Sequence, residues 1–488
     1  MGGVLMPISS LPSAEGVGTF GKEAYRFVDI LADMGMKIWQ ILPLNPLGYG
    51  NSPYQPFSSY AGDPVYLDLG LMAEEGLIKS TLSKYDNKTP GKADYTATAS
   101  YKAPYFREAF ESFKEKIGGE NADTALKAEY EAFKALFWVR PYGIFITLKA
   151  KNDMRCWNEW PREEQDYILD GKFDITPYED DIEYAMFLQF MFCRQWNRLK
   201  KYANEKGILL MGDIPFYVGI DSLDVWQGRK NFLLDKDGHP RFIAGVPPDY
   251  FSETGQRWGN PIYDWDNLEA DGFKFWLDRL SYSAKLYDII RIDHFRAFDT
   301  YWKIPSSCPT AVEGEWIEAP GYKLFDTVYE KMPDIQIVAE DLGDLRPEVL
   351  VLRDHYNLPG MYIEQFSALD KKGPAENQLI YTGTHDNQTT LGWLKDLDKK
   401  TLGKVKRRFF TFANPGEKLV WKILNYVYKS RANLAIVPAF DLLALDDAAR
   451  LNTPGTVGSP NWEWRLTSLD GLSEKIPAAK KMITESGR

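Results

Sequence analysis

Cysteine is scarce in this chain. Only Cys156, Cys193 and Cys308 occur in 488 residues, an odd number at wide spacing with no Cys-x-x-Cys. That excludes a disulfide framework and leaves no zinc-site pattern. Positive charge is also short: 58 Lys and Arg against 69 Asp and Glu give a net charge of −11 and a pI near 5.2. Neither nucleic acid nor an anionic membrane surface would be drawn to such a chain. No apolar run is long enough to span a bilayer. The start, Met1-Gly2-Gly3-Val4-Leu5, lacks the basic segment of a signal peptide, so the cytoplasm is the expected location. Residues 9–16 supply no Gly-x-Gly-x-x-Gly after the first apolar run, which argues against a doubly wound nucleotide-binding sheet. No lysine motif points to pyridoxal phosphate, and no cofactor is expected.

What is abundant is aromatic surface, 14% of residues with 15 Trp and 28 Tyr. Much of it must be core, but aromatic planes also suit a cleft that holds sugar rings by their C–H faces. Short apolar runs at residues 4–8, 37–42, 208–211, 289–292, 335–339, 360–364, 379–382 and 434–437 read as strands. Segments with helical spacing separate most of them, for example 21–34, 183–205 and 273–286. Eight strands alternating with helices is the pattern of an α/β chain folded as a (β/α)₈ barrel. Such a barrel needs about 250 residues, so the surplus must sit in insertions. Residues 1–68 read as the first two strands, 69–182 as an inserted, mainly helical subdomain, and 183–488 as the rest of the barrel. Within that last part, 215–270 reads as an inserted loop region over the mouth.

Several of the strands end in charge. Ile289-Ile290 runs into Arg291, Asp293, His294 and Arg296; other strand ends carry Asp213, Glu340, and His385-Asp386. Arg291 and Asp293 are two apart, so on a strand they share a face. An arginine there favours the ionised aspartate. A single Arg-x-Asp is more often a structural ion pair. The full set does not, because strand C-termini of a barrel converge on one mouth, and clustered carboxylates destabilise a fold that has no use for them. The chemistry that uses them is retaining glycoside cleavage: one carboxylate attacks the anomeric carbon and a second, protonated one serves the leaving oxygen. Asp293 beside Arg291 fits the nucleophile. Spacing leaves Glu340 and Asp386 both open as the acid.

Three stretches carry a resemblance: Arg291-Ile292-Asp293-His294-Phe295-Arg296, Ala339-Glu340-Asp341-Leu342-Gly343 and Thr384-His385-Asp386-Asn387. With residues 47–64, 212–218, 247–261, 452–455 and 461–465, they resemble the 4-α-glucanotransferases (amylomaltases, or disproportionating enzymes) of the wider α-amylase clan. The resemblance spans nearly the whole chain. It implies Asp293 as nucleophile, Glu340 as general acid/base and Asp386 as transition-state stabiliser. It places Asp213, Arg291, His294, His385 and Asn387 around the reacting sugar. Tyr250, Gln256 and Trp258 would lie on a loop arching over the cleft, and Tyr54 on a more remote glucan-binding surface. The implied partners are α-1,4-glucans, with glucose as an acceptor. Asp213-Ile214-Pro215 departs from the Asn-His of amylase hydrolases, which makes a calcium site doubtful, and no metal is expected. An α-amylase-type hydrolase is the main alternative, and a catalytically silent glucan-binding protein the second.

Overall fold

The computed structural model describes residues 1–248, 252–370 and 372–488. Eight parallel strands form one sheet: β1 (Gly2–Leu5), β2 (Ile38–Gln40), β3 (Leu209–Pro215), β4 (Ile289–Asp293), β5 (Ile337–Ala339), β6 (Gly360–Ile363), β7 (Gln378–Tyr381) and β8 (Leu434–Pro438). Their order is β6-β7-β8-β1-β2-β3-β4-β5. The two outer strands then meet. The Ala339 amide donates to the carbonyl of Pro359 at 2.9 Å, and the Met361 amide to Asp341 Oδ1 at 2.7 Å. The sheet thus curls into a barrel, as the alternating strands and helices predict, and its strands are almost wholly buried.

Register sets the height of each polar residue. Asp213 pairs with Arg291 and Pro215 with Asp293 across β3 and β4, while Ile292 pairs with Ala339 across β4 and β5. Gly212 is required for the first of these alignments, since a Cβ there would lie 2.2 Å from the Tyr287 ring. Tyr381 on β7 donates to Gln40 Oε1 on β2 at 2.8 Å, both side chains buried. The barrel interior therefore turns polar toward its C-terminal end.

Between β2 and β3 lie helices Leu69–Glu74, Tyr95–Ile117, Thr124–Lys134, Val139–Lys151 and Arg162–Asp170, followed by the long helix Glu179–Glu205. Their buried faces belong to the same hydrophobic core as the barrel. Lys102, fully buried, ties them to it: its Nζ donates to the carbonyls of Val65 (2.8 Å) and Leu67 (2.6 Å) and pairs with Glu15 at 2.8 Å. A buried ammonium is tolerable only with such partners.

The expected loop region 215–270 is corrected. It contains strands Phe242–Val246 and Gln256–Pro261, which join Thr300–Pro305 and Glu315–Glu318 in a four-stranded antiparallel sheet. The strand Phe242–Val246 finds its partner at Thr300–Pro305, a pairing between distant segments that no local periodicity reveals.

Candidate active site

Arg291 is the centre of the mouth. Only 4% of its side chain is exposed, and Nη1 contacts both oxygens of Asp213 at 2.7 Å while Nη2 donates to Asp293 Oδ1 at 2.9 Å. β4 projects Arg291 and Asp293 to one face, as their spacing requires. Asp213 is fully buried; it is occupied by Arg291 on one side and by Tyr54 on the other.

Tyr54 is a correction. It does not lie on a remote surface. Its hydroxyl donates to Asp213 Oδ2 at 2.9 Å and sits 3.0 Å from His385 Nε2. Its ring stacks on the His385 ring, with centroids 5.3 Å apart and planes within 20°. With the tyrosine proton given to Asp213, the hydroxyl accepts from His385, which assigns the imidazole proton to Nε2. Burial and the Asp213 charge hold the Tyr54 phenol well above its ordinary pKa, so it stays a donor. The 47–56 loop reaches the mouth through a fold no local pattern encodes.

His385 and Asp386 sit on the segment after β7. His385 Nε2 lies 3.5 Å from Asp386 Oδ2, and Asn452 donates to Asp386 Oδ1 at 2.7 Å. The Asp386 side chain is 44% exposed and open to the cleft. Asn387 turns inward: its Oδ1 accepts from the Thr384 amide (2.8 Å) and hydroxyl (3.0 Å), so this oxygen holds the turn. Both flanks of the segment are pinned by Asp441, fully buried just beyond β8. It accepts from the Thr382 hydroxyl at 2.6 Å, the Thr390 hydroxyl at 2.7 Å and the Thr390 amide at 2.8 Å. Sequence reasoning missed Asp441; its one signal was a lone aspartate closing the last apolar strand. Trp462 and Asn452 were visible only within matching stretches. The Trp462 ring lies 5.9 Å from Tyr54 and 5.8 Å from His385.

Glu340 follows β5, directly beside Asp293. Its Oε2 accepts from the His294 amide at 2.7 Å and its Oε1 from the Leu342 amide at 3.1 Å. Burial, then the Asp293 charge, push its carboxyl up to about 7, against the partial relief of Arg291. At Asp293 two influences oppose each other. Arg291 does favour the anion, but burial outweighs it and the carboxyl titrates above its ordinary value. Asp293 is bonded to Arg291 and Glu340 accepts only main-chain amides, so Glu340 is the member of the pair that keeps a proton.

His294 adopts a left-handed backbone, φ 59°. This rare conformation for a non-glycine residue turns its amide onto Glu340. Burial lowers its imidazole pKa to about 3, keeping it neutral. The Trp258 ring meets it edge-on at 4.8 Å. Trp258 Nε1 in turn donates to Gln256 Oε1 at 3.2 Å. Both residues belong to the strand Gln256–Pro261, not to a loop. Tyr250 lies outside the described residues. Among the described residues, no group of three or more His, Cys, Asp and Glu side chains is arranged to hold a metal ion.

A parallel (β/α)₈ barrel whose strand ends gather a salt-bridged aspartate, a neighbouring glutamate near neutrality and a third, open aspartate defines the class of enzymes that work on glycosidic bonds. A profile of the 4-alpha-glucanotransferase family matches residues 6–470, and the chain belongs to that family. It is 42% identical over 485 residues to a 4-alpha-glucanotransferase of Thermus thermophilus, covering 95% of this chain and 94% of that protein. It is 36% identical over 507 residues to one of Arabidopsis thaliana, covering 100% of this chain and 85% of that protein. The amylomaltase of Streptococcus agalactiae, solved in complex with acarbose, superposes with a TM-score of 0.92 at 35% identity, over 100% of this chain and 99% of that one.

Proposed function

We propose that this chain performs its family's glucan transfer with Asp293 as nucleophile, Glu340 as general acid/base and Asp386 as stabiliser of the developing charge. The donor is an α-1,4-glucan; the acceptor is the 4-OH of another glucan or of glucose. The observation that carries the reading is the contrast between Asp293 and Glu340. They are neighbours, one held by Arg291 and the other pushed up to about 7. Two neighbouring carboxyls in different surroundings, one bonded to an arginine and one not, divide the roles of nucleophile and acid.

In the first half-reaction Asp293 attacks the anomeric carbon while Glu340 gives its proton to the leaving oxygen. A covalent glycosyl-enzyme results, and the leaving chain departs with a free 4-OH. In the second, the Glu340 carboxylate takes the proton of the incoming 4-OH as that oxygen displaces Asp293. The retaining geometry requires the pair about 5–5.5 Å apart; register puts the two on neighbouring strand ends, since Ile292 pairs with Ala339. Asp213 and His385, both buried and joined through Tyr54, hold Arg291 and the base of the site in place. Asp386, fixed by Asn452, strengthens its hold as positive charge builds. Transfer outruns hydrolysis when the acceptor keeps water from the intermediate; Trp258, packed on His294 next to Glu340, is the candidate for that exclusion.

Incubation with maltotriose tests this. Redistribution into shorter and longer chains at a constant number of reducing ends is expected. A steady rise in reducing ends identifies a hydrolase instead, and maltotriose recovered unchanged defeats the assignment.

A further inference from the structure

The rim beside Glu340 carries side chains that the chemistry above leaves unused. Arg296 stands two residues after His294, and its Nη1 donates to the main-chain oxygen of Asp344 at 2.8 Å. It therefore bridges the loop after β4 and the loop after β5, which bears Glu340. Its Nε is buried without a hydrogen-bond partner among the described residues. The guanidinium carbon lies 4.2 Å from the ring centroid of Trp316. Trp316, on the edge strand Glu315–Glu318, packs edge-on against Trp302 at 5.2 Å. It nevertheless remains 41% exposed, and no other tryptophan among the described residues is as exposed.

Location decides what this ring meets. The general acid touches the leaving oxygen, so the departing chain, and later the acceptor, must lie on the Glu340 side of the scissile bond. Contacts run from Glu340 to the His294 amide, and two residues on from Arg296 to Trp316, which puts the indole on the Glu340 side. An indole held flat by a guanidinium is rigid in advance, and it offers a sugar a C–H-packing surface at small entropic cost. The guanidinium also supplies donors that hydroxyls can accept.

We propose that Trp316, backed by Arg296, is a distal subsite for an α-1,4-linked glucose unit on the leaving-group and acceptor side. This rests on the reading of Glu340 as the acid/base. The subsite would be reached by long acceptors and not by glucose itself, so it sets a preference for chain length.

The test uses the full chain, a fixed donor, and glucose or maltoheptaose as acceptor. In Trp316→Ala the ratio of kcat/KM for maltoheptaose to that for glucose should fall about tenfold, the loss of one well-packed aromatic contact. Trp316→Phe should recover most of it. An unchanged ratio overturns the subsite, even if overall activity drops. A second measurement avoids turnover: calorimetric binding of maltoheptaose to Asp293→Asn, with and without Trp316→Ala. The double variant should bind about tenfold more weakly, and equal affinities overturn the proposal. If the unaltered enzyme makes no transfer products from maltotriose, the functional reading fails instead, which is a different result from transfer without a length effect.

Discussion

His294 reaches Glu340 through its main chain: the amide donates to Oε2 at 2.7 Å, while the imidazole meets Trp258. The left-handed backbone at φ 59° is what aims that amide. Asparagine tolerates this conformation better than most residues. His294→Asn should therefore leave the alkaline limb of the pH–rate profile within about half a unit, a change below ~0.7 kcal/mol in the Glu340 carboxyl. Its effect should fall on KM, through the lost Trp258 contact. A larger move of the alkaline limb would place the imidazole, not the amide, in control of Glu340.

The pair of carboxyls dictates a pH profile. Activity requires Glu340 protonated and Asp293 ionised, so kcat/KM should decline on the alkaline side around pH 7 and on the acid side as Asp293 takes a proton. The two apparent values belong to the pair rather than to either residue. Because the Asp293 charge raises Glu340, Asp293→Asn should lower the Glu340 titration, as followed by carboxyl ¹³C NMR. An upward move would contradict the arrangement.

Stability should respond with a definite sign. The Glu340 carboxyl is raised from 4.5 to about 7, so between those values the native state binds more protons than the unfolded one. Stability then falls as pH rises through that window, and the cost is complete above it. Glu340→Gln removes a charge that the fold pays to bury. The variant should be more stable than the parent by roughly 1–2 kcal/mol at pH 8, after discounting for partial exposure, and the gain should vanish near pH 4. Denaturant melts at the two pH values measure it; a loss of stability at pH 8 would reverse the sign.

Tyr54→Phe keeps the ring stacked on His385 and removes the hydroxyl between His385 and Asp213. Hydrogen bonds to charged partners contribute about 1.5–3 kcal/mol, so kcat/KM should drop roughly 10–100-fold. The product-size distribution should change little. A shift in product sizes at full rate would restore the remote surface that the loop suggested before its position was known.

Asp441→Asn probes the clamp on the segment that bears His385 and Asp386. The amide offers one oxygen where two hydroxyls and an amide now donate. Turnover should fall by about tenfold or more with KM less affected, since misplacement of a stabilising carboxylate is felt mainly in the transition state. Equal loss in both constants with a lower melting temperature would mark Asp441 as structural only.

The residues that ended apolar runs were readable in the chain because strand residues are chosen for burial, and charge at such an end has no cheap structural reason. Asp213, Arg291, Asp293, Glu340, His385 and Asp386 all stood out that way. The antiparallel sheet carrying Trp258 and Trp316 did not, because the pairing that unites its two halves, 242–246 with 300–305, joins segments far apart in sequence, where no local pattern speaks.

By itself, then, the order of amino acids determined the barrel, its eight short strands and the carboxylates at their ends. Periodicity and burial act over a few residues and leave a local trace. Tertiary structure alone decided that Tyr54 stands between Asp213 and His385, that a main-chain amide holds Glu340, and that burial outweighs Arg291 at Asp293. Those outcomes depend on distances and desolvation among residues on different strands and loops, which exist only once the barrel has closed.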